Sequence, residues 1–294
     1  MNLNYYIKLT KDLWIALRAL SLTLALASTT TGIIVAYKEG FEISPLVALL
    51  VTLAGVAAQS GANLINDYFE GSFRYHRNSP QIYKFLGAMR SKFDILVFLL
   101  GMASFGIAGL IGLYLIYISG IQMLFIGLAG IIGGYAYTGE PFVYKRRGLG
   151  VPLSFIVMGP LMVYGAYFVF AQSFSWTVIL YSLPISFLIP ALMLSNELRD
   201  FTRDRGLSLG TLSVRIGSKW SKYIYLGLLI GCYTVPVLLI LMNMLSLWAL
   251  GLFVTLPLAI SAYKSVSTYQ GLGIPKTNRL HLIFSILYII TLVL

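Results

Sequence analysis

The sequence predicts an all-α, polytopic membrane protein with nine transmembrane helices, and three observations carry that prediction. Of its 294 residues, 58% are hydrophobic and only 11% are charged, against about 45–50% and about 25% in soluble domains. The mean hydropathy is +0.84. The few charges are also segregated, leaving residues 19–37, 43–66, 95–139, 148–196, 223–263 and 280–294 free of Asp, Glu, Lys and Arg. A chain so poor in charge cannot cover a soluble surface, which excludes a water-soluble enzyme and a disordered chain. The single Cys232 cannot form an intrachain disulfide, which excludes a secreted disulfide scaffold.

Each element follows from the charge-free stretches, because a spanning helix needs about 17–25 residues. Residues 19–37 and 43–66 provide one helix each. The tripeptide Ala25-Leu26-Ala27 has the form of a signal cleavage site, but the apolar run continues past it, so a retained first helix is expected. The three long stretches provide two helices each, broken near Ser119-Gly120, Gln172-Ser173 and Asn243. Residues 280–294 supply a short ninth helix.

Nine spans put the N-terminus and alternate loops on one side. Every Lys and Arg except Lys38 falls there, and the positive-inside rule makes that side cytoplasmic in a multi-pass cell-membrane protein. The net charge of +11 is then read as basic loops meeting anionic headgroups of the lipid bilayer, with no nucleic acid involved. No obligatory protein partner is evident in the sequence.

The ten acidic residues concentrate the chemical information. One cluster, Asn63-Leu64-Ile65-Asn66-Asp67-Tyr68-Phe69-Glu70, ends helix 2; another, Asn196-Glu197-Leu198-Arg199-Asp200-Phe201-Thr202-Arg203-Asp204, ends helix 6. Residues three and four apart share a helix face. Asn63, Asp67 and Glu70 are therefore expected to form one row of oxygen ligands, and Asn196, Asp200 and Asp204 a second. Two facing rows would repel one another unless cations lay between them, and Mg²⁺ suits hard oxygen ligands shared with phosphates. The similarity of the two clusters suggests a possible internal duplication. A cation-coupled transporter is a competing reading, although transporters usually carry such groups near the bilayer midplane. A scaffold that keeps the fold without activity is another.

The two clusters resemble the paired aspartate-rich motifs of the UbiA superfamily of intramembrane prenyltransferases. The tail Thr211-Leu212-Ser213-Val214-Arg215-Ile216-Gly217 resembles the end of the second motif. The segments Tyr135-Ala136-Tyr137-Thr138-Gly139-Glu140-Pro141, Gly148-Leu149-Gly150 and Gly159-Pro160 are most similar to the menaquinone-type branch, which prenylates dihydroxynaphthoate. The resemblance implies one prenyltransferase domain over residues 1–294, with a first motif at 63–70, a cap loop at 71–92 and a second motif at 196–204. It also implies a prenyl diphosphate bound through Mg²⁺ and a small aromatic acceptor. Departures from the family pattern are Glu70 in place of Asp, Arg74 in place of an acid, Val151 in place of the acid after Gly-Leu-Gly, and Leu209 in place of Lys. They leave prenyl transfer intact as an expectation and widen the choice of acceptor, geranylgeranylglyceryl phosphate included.

That chemistry assigns expected roles. Asp67, Glu70, Asp200 and Asp204 hold the metal. Asn63, Asn196, Arg18, Lys145, Arg146, Arg199 and Arg203 bind the diphosphate, with Arg147 a further basic neighbour. An allylic cation is stabilised by aromatic faces, for which Tyr137 is the first choice, with Tyr68 and Tyr135 beside it. No strong base is required, so His76 and His281 are read as structural. The loop 71–92, with Arg74, Arg77, Lys84, Arg90 and Lys92, is expected to form a short amphipathic cap that excludes water.

Overall fold

The computed structural model describes residues 3–70, 80–268 and 272–294. It is a helical bundle, as a chain in lipid must be when every backbone polar group needs an internal partner. Helix α1 (Leu3–Leu17) is amphipathic and leads through a 3-10 turn at Ala19–Ser21 into α2 (Leu22–Lys38). Then come α3 (Pro45–Glu70), α4 (Lys92–Ser119) and α5 (Gln122–Ala136). Next, α6 (Gly150–Ile156) and α7 (Met162–Ala171) make one bent span. The bend falls at Pro160, whose missing N–H and ring disfavour a straight helix, and at Gly159, which leaves helical geometry. A second span joins α8 (Trp176–Ser186) to α9 (Leu188–Gly206). The short α10 (Leu212–Ile216) precedes α11 (Ser218–Leu241), α12 (Leu256–Ser267) and α13 (Gly273–Val293).

Among the described residues, eight helices are long and apolar enough to cross a membrane, and α5 is a shorter ninth. Eight such helices stand against the nine expected, and the short helix is the fourth in order rather than the last. The charge-free criterion clipped the final helix, which begins at Gly273 and carries Lys276 and Arg279 in its first turns. The helices pack through small residues, which permit close approach where water-driven burial is weak. A side chain at Gly32 of α2 would meet the Val163 carbonyl of α7 at 2.2 Å, and one at Gly61 of α3 would meet the Phe105 ring of α4 at 2.9 Å. The main core lies among α2, α7, α8, α9, α11 and α13, around Tyr167, Leu188, Tyr225, Phe284 and Tyr288.

The loop between α3 and α4 departs from expectation. Arg74, His76 and Arg77 lie outside the described residues. The described part contains no helix; Tyr83–Phe85 and Ala88–Arg90 form an antiparallel hairpin, β1 and β2. Its turn places Leu86 and Gly87 at positive φ, as tight two-residue hairpins require. Phe85 packs beside Tyr68 and Phe98, and Arg90 lies 4.4 Å above the Tyr68 ring. The hairpin is therefore pinned to the α3–α4 side, and its residues do not line the cavity described next.

Candidate active site

Helices α3 and α9 both end beside a cavity of about 700 Å³. Along α3 the lining residues are Gln59, Asn63, Asn66 and Glu70; along α9 they are Leu192, Asn196, Arg199, Asp200 and Arg203. Each set is a helical stripe. The loop after α5 adds Tyr137, Tyr144 and Lys145, the α1–α2 junction adds Arg18, and α13 adds Asn278. The remaining wall is mostly apolar, with Leu20, Val157, Met158, Met162, Met193 and Ile274 beside Ser21 and Ser154.

The stripes correct the two expected rows. Asp67 is fully buried and does not line the cavity; Asn66 does. Asp204 is 2% exposed and likewise stands behind the lining. The reason is helical pitch. A residue turns about 100°, so each i+4 step overshoots a full turn by about 40°, and two steps carry Asp204 about 80° away from Asn196. On α3 the lining lies to one side of Asn63, with Glu70 about 20°, Gln59 about 40° and Asn66 about 60° round from it, so Asp67, about 40° round the other way, falls off the face; on α9 the i+7 step from Asn196 to Arg203 is only about 20° off.

The walls differ in how they hold their charges. Glu70 accepts an ion pair from Lys145 Nζ at 2.6 Å, and both side chains are nearly buried. Arg18 has left-handed backbone angles and donates to Asn66 Oδ1. Asn63 donates to the Leu17 carbonyl at 2.8 Å and to Ser21 Oγ at 2.9 Å, and its own oxygen accepts from Gln59. On α9, Arg199 pairs with Asp200 at 2.7 Å, and Arg203 bridges Asp200 and Asp204 at 3.0 and 2.7 Å.

The Tyr137 ring lies under the Lys145 ammonium, 5.6 Å from its centroid, so its face already meets a cation. Burial first, then the Glu197 and Glu70 carboxylates, push the Tyr137 phenol well above its usual range. Tyr137 is therefore a neutral phenol, and its hydroxyl faces Met193 Sδ at 3.7 Å. Other expected residues fall elsewhere. Arg146, Arg147, Tyr68 and Tyr135 do not line the cavity. Tyr68 is core, and the Tyr135 hydroxyl bonds the Glu140 carbonyl. His281 is fully buried within α13. Reading the acids first passed over Asn66, Tyr144 and Asn278; the i+3 relation of Asn66 to Asn63 was the available signal.

Four cations (Arg18, Lys145, Arg199, Arg203) and two carboxylates (Glu70, Asp200) line the chamber. The excess of positive charge favours an anion. Among the described residues, no three His, Cys, Asp or Glu side chains group together as a metal site. The donors nevertheless suit Mg²⁺, which is commonly held by one or two carboxylates, with waters and substrate phosphates completing its shell. Glu70 and Asp200 supply one carboxylate from each wall, and Asn63, Asn66 and Asn196 supply neutral oxygens.

A bundle of this kind, with a chamber rich in positive charge at the ends of two motif-bearing helices, is that of a multi-pass membrane protein. The sequence pattern of the UbiA prenyltransferase family matches residues 25–281, and the chain belongs to that family; it is a prenyltransferase by class. It is 28% identical to the 1,4-dihydroxy-2-naphthoate octaprenyltransferase of Bacillus subtilis over 86% of this chain and 81% of that one. It is 26% identical to human UbiA prenyltransferase domain-containing protein 1 over 95% and 82%. The fold is also that of an Aeropyrum pernix UbiA homologue, with TM-score 0.66 and 15% identity over 91% and 94% of the chains. A UbiA homologue from Archaeoglobus fulgidus bound to GPP and Mg²⁺ superposes with TM-score 0.59 and 13% identity over 96% and 99%.

Proposed function

We propose that this protein transfers a prenyl chain from a prenyl diphosphate to a small aromatic quinone precursor, of which dihydroxynaphthoate is the first choice. The observation that carries the reading is the mixed lining of the chamber, which combines ionic groups on α3, α9 and the Lys145 loop with apolar side chains such as Met158, Met162 and Leu192. A molecule with an anionic head and a hydrocarbon tail suits such a lining. Similarity to the naphthoate-prenylating relative supports the acceptor. The basic loops support a chamber mouth on the cytoplasmic side of the cell membrane.

In this reading Arg18, Lys145, Arg199 and Arg203 bind the diphosphate, and Asn63, Asn66 and Asn196 orient it. Glu70 and Asp200 would hold Mg²⁺, which when bound would supply neutralising charge to the diphosphate. Asp67 and Asp204 support these ligands from behind. The allylic C–O bond breaks, the pair of electrons leaves with the diphosphate, and the carbon is left cationic. The methionine-rich wall keeps water away, and the Tyr137 face offers π-electrons to the cation. The electron-rich ring of the acceptor forms the new C–C bond and then releases a proton.

The excess of lining cations over carboxylates argues against cation transport. The test incubates purified protein with labelled geranyl diphosphate, Mg²⁺ and a mixed pool of dihydroxynaphthoate, hydroxybenzoate and geranylgeranylglyceryl phosphate, followed by mass spectrometry. A prenylated naphthoate is expected. An ether lipid would replace the acceptor, and absence of any product together with absence of diphosphate binding would overturn the reading.

A further inference from the structure

The segment from Gly210 to Gly217 stands outside the chamber, and none of its residues lines it. It nevertheless grips the loop that carries Lys145. Arg215 Nε donates to the Gly210 carbonyl at 2.8 Å, and its NH2 group reaches the Arg146 carbonyl at 3.4 Å. The approach leaves no room for side chains: a Cβ at Gly148 would lie 2.6 Å from Arg215 Cδ, and one at Gly210 would lie 2.4 Å from the Arg146 carbonyl oxygen. Glu197, 2% exposed, secures the other side by accepting from the Ser213 backbone N–H at 2.8 Å. Inside this clamp the Lys145 N–H bonds the Tyr137 carbonyl at 3.0 Å, and the Lys145 ammonium reaches Glu70.

We propose that Arg215 and Glu197 are positioning residues of the diphosphate site: they fasten the second motif's tail to the Lys145 loop and thereby fix where the ammonium stands. This rests on the reading of the chamber as a diphosphate site. Neither residue touches substrate. Arg215 acts through its planar fork, which spans two carbonyls at once, a geometry a lysine cannot reproduce. Glu197 acts as the acceptor that holds α10 against α9, a role that a glutamine oxygen can fill.

The test uses the full chain in detergent with Mg²⁺ and geranyl S-thiolodiphosphate, an unreactive analogue, read by equilibrium binding beside steady-state kinetics with geranyl diphosphate. Arg215→Lys is expected to weaken analogue binding and raise KM about tenfold, with kcat changed less than about threefold. Because the effect passes through Lys145, the same change in a Lys145→Gln background is expected to cost less than about twofold. Glu197→Ala is expected to weaken binding and Glu197→Gln to restore it, which keeps the test open should Arg215→Lys fail to fold. Wild-type affinity in both Arg215→Lys and Glu197→Ala, or an equal loss with and without Lys145, overturns the proposal alone. A wild-type protein that does not bind the analogue overturns the diphosphate reading and this proposal together.

Discussion

The two motif helices reach the same chamber and hold their polar groups in opposite ways. On α3 the partners come from distant sequence: Asn63 is tied to Leu17 and Ser21, Asn66 to Arg18, and Glu70 to Lys145. On α9 the acid partners are local, since Asp200 and Asp204 pair with Arg199 and Arg203 of their own helix. Arg199 is half exposed, at 50%, whereas the Glu70 and Lys145 side chains are 13% and 11% exposed. Exposed local pairs are worth about 0–1 kcal/mol, and breaking a buried pair costs about 3–5 kcal/mol. The Glu70–Lys145 pair of the first motif is thus built into the fold, while the Arg199–Asp200 pair of the second is free to exchange its partner for a ligand; the Asp204 side chain, 3% exposed, is held in the fold.

The sharpest way to break this comparison is to remove a carboxylate from each wall. Glu70→Gln leaves the Lys145 ammonium without its counter-charge in a buried place, so it should destabilise the protein by about 3–5 kcal/mol. Thermal unfolding in detergent should show a melting temperature lower by on the order of 10 °C, with prenyl transfer lost as well. Asp200→Asn should reduce kcat by about 10²–10³-fold, the size found when one transition-state charge stabiliser is removed. Its melting temperature should stay near wild type, because Arg199, half exposed, can turn to water and Arg203 keeps its pair with Asp204. Equal thermal losses in the two variants would erase the distinction between the motifs.

A smaller effect tests how α3 holds the entry to the chamber. Asn63 donates to a carbonyl at the end of α1 and to a hydroxyl at the start of α2. Asn63→Leu leaves those acceptors unsatisfied, at a cost of about 1–3 kcal/mol. The expected readout is faster proteolysis at the α1–α2 junction beside Arg18, with cleavage elsewhere unchanged. Uniform acceleration along the chain would show that Asn63 supports the whole bundle instead.

Much of this architecture is legible in the sequence, because lipid enforces it. Charge-free stretches locate the spans, and the two Asn-led acidic clusters locate the helix ends that meet. What the sequence hides is geometry finer than a helical turn. Counting uncharged residues shortened the final helix, since Lys276 and Arg279 sit inside it, and gave no sign that α5 would be the short one. Reading i+4 rows placed Asp67 and Asp204 on the cavity face, where Asn66 and Arg203 stand instead: on α3 the cavity lies on the side of Asn63 away from Asp67, and on α9 two i+4 steps carry Asp204 off the face. The basic loop after α3 read as an amphipathic cap, but Leu86-Gly87 turns its described part into a hairpin held by Tyr68. The ion pair between Glu70 and Lys145 joins residues 75 positions apart, and no local pattern announces it.

The smallest expected effect concerns Tyr137, where the two walls meet through the Lys145 loop. Its ring faces the Lys145 ammonium, and its phenol is pushed well above the usual range by burial and by the carboxylates of Glu197 and Glu70. A group with a raised phenol pKa stays protonated at every working pH, so it cannot serve as a base and adds no alkaline limb of its own near neutrality. What remains for it to offer a cation is the ring. Tyr137→Phe keeps the ring and loses only the contact from its hydroxyl to Met193, so turnover should stay within about threefold and the pH profile should keep its shape. Tyr137→Leu removes the π-face, worth about 0.5–2 kcal/mol to a cation, so kcat should fall by roughly two- to thirtyfold. If Phe and Leu lower kcat equally, the hydroxyl rather than the ring is the working part, and the stabilisation of the allylic cation must be sought on the methionine-lined wall.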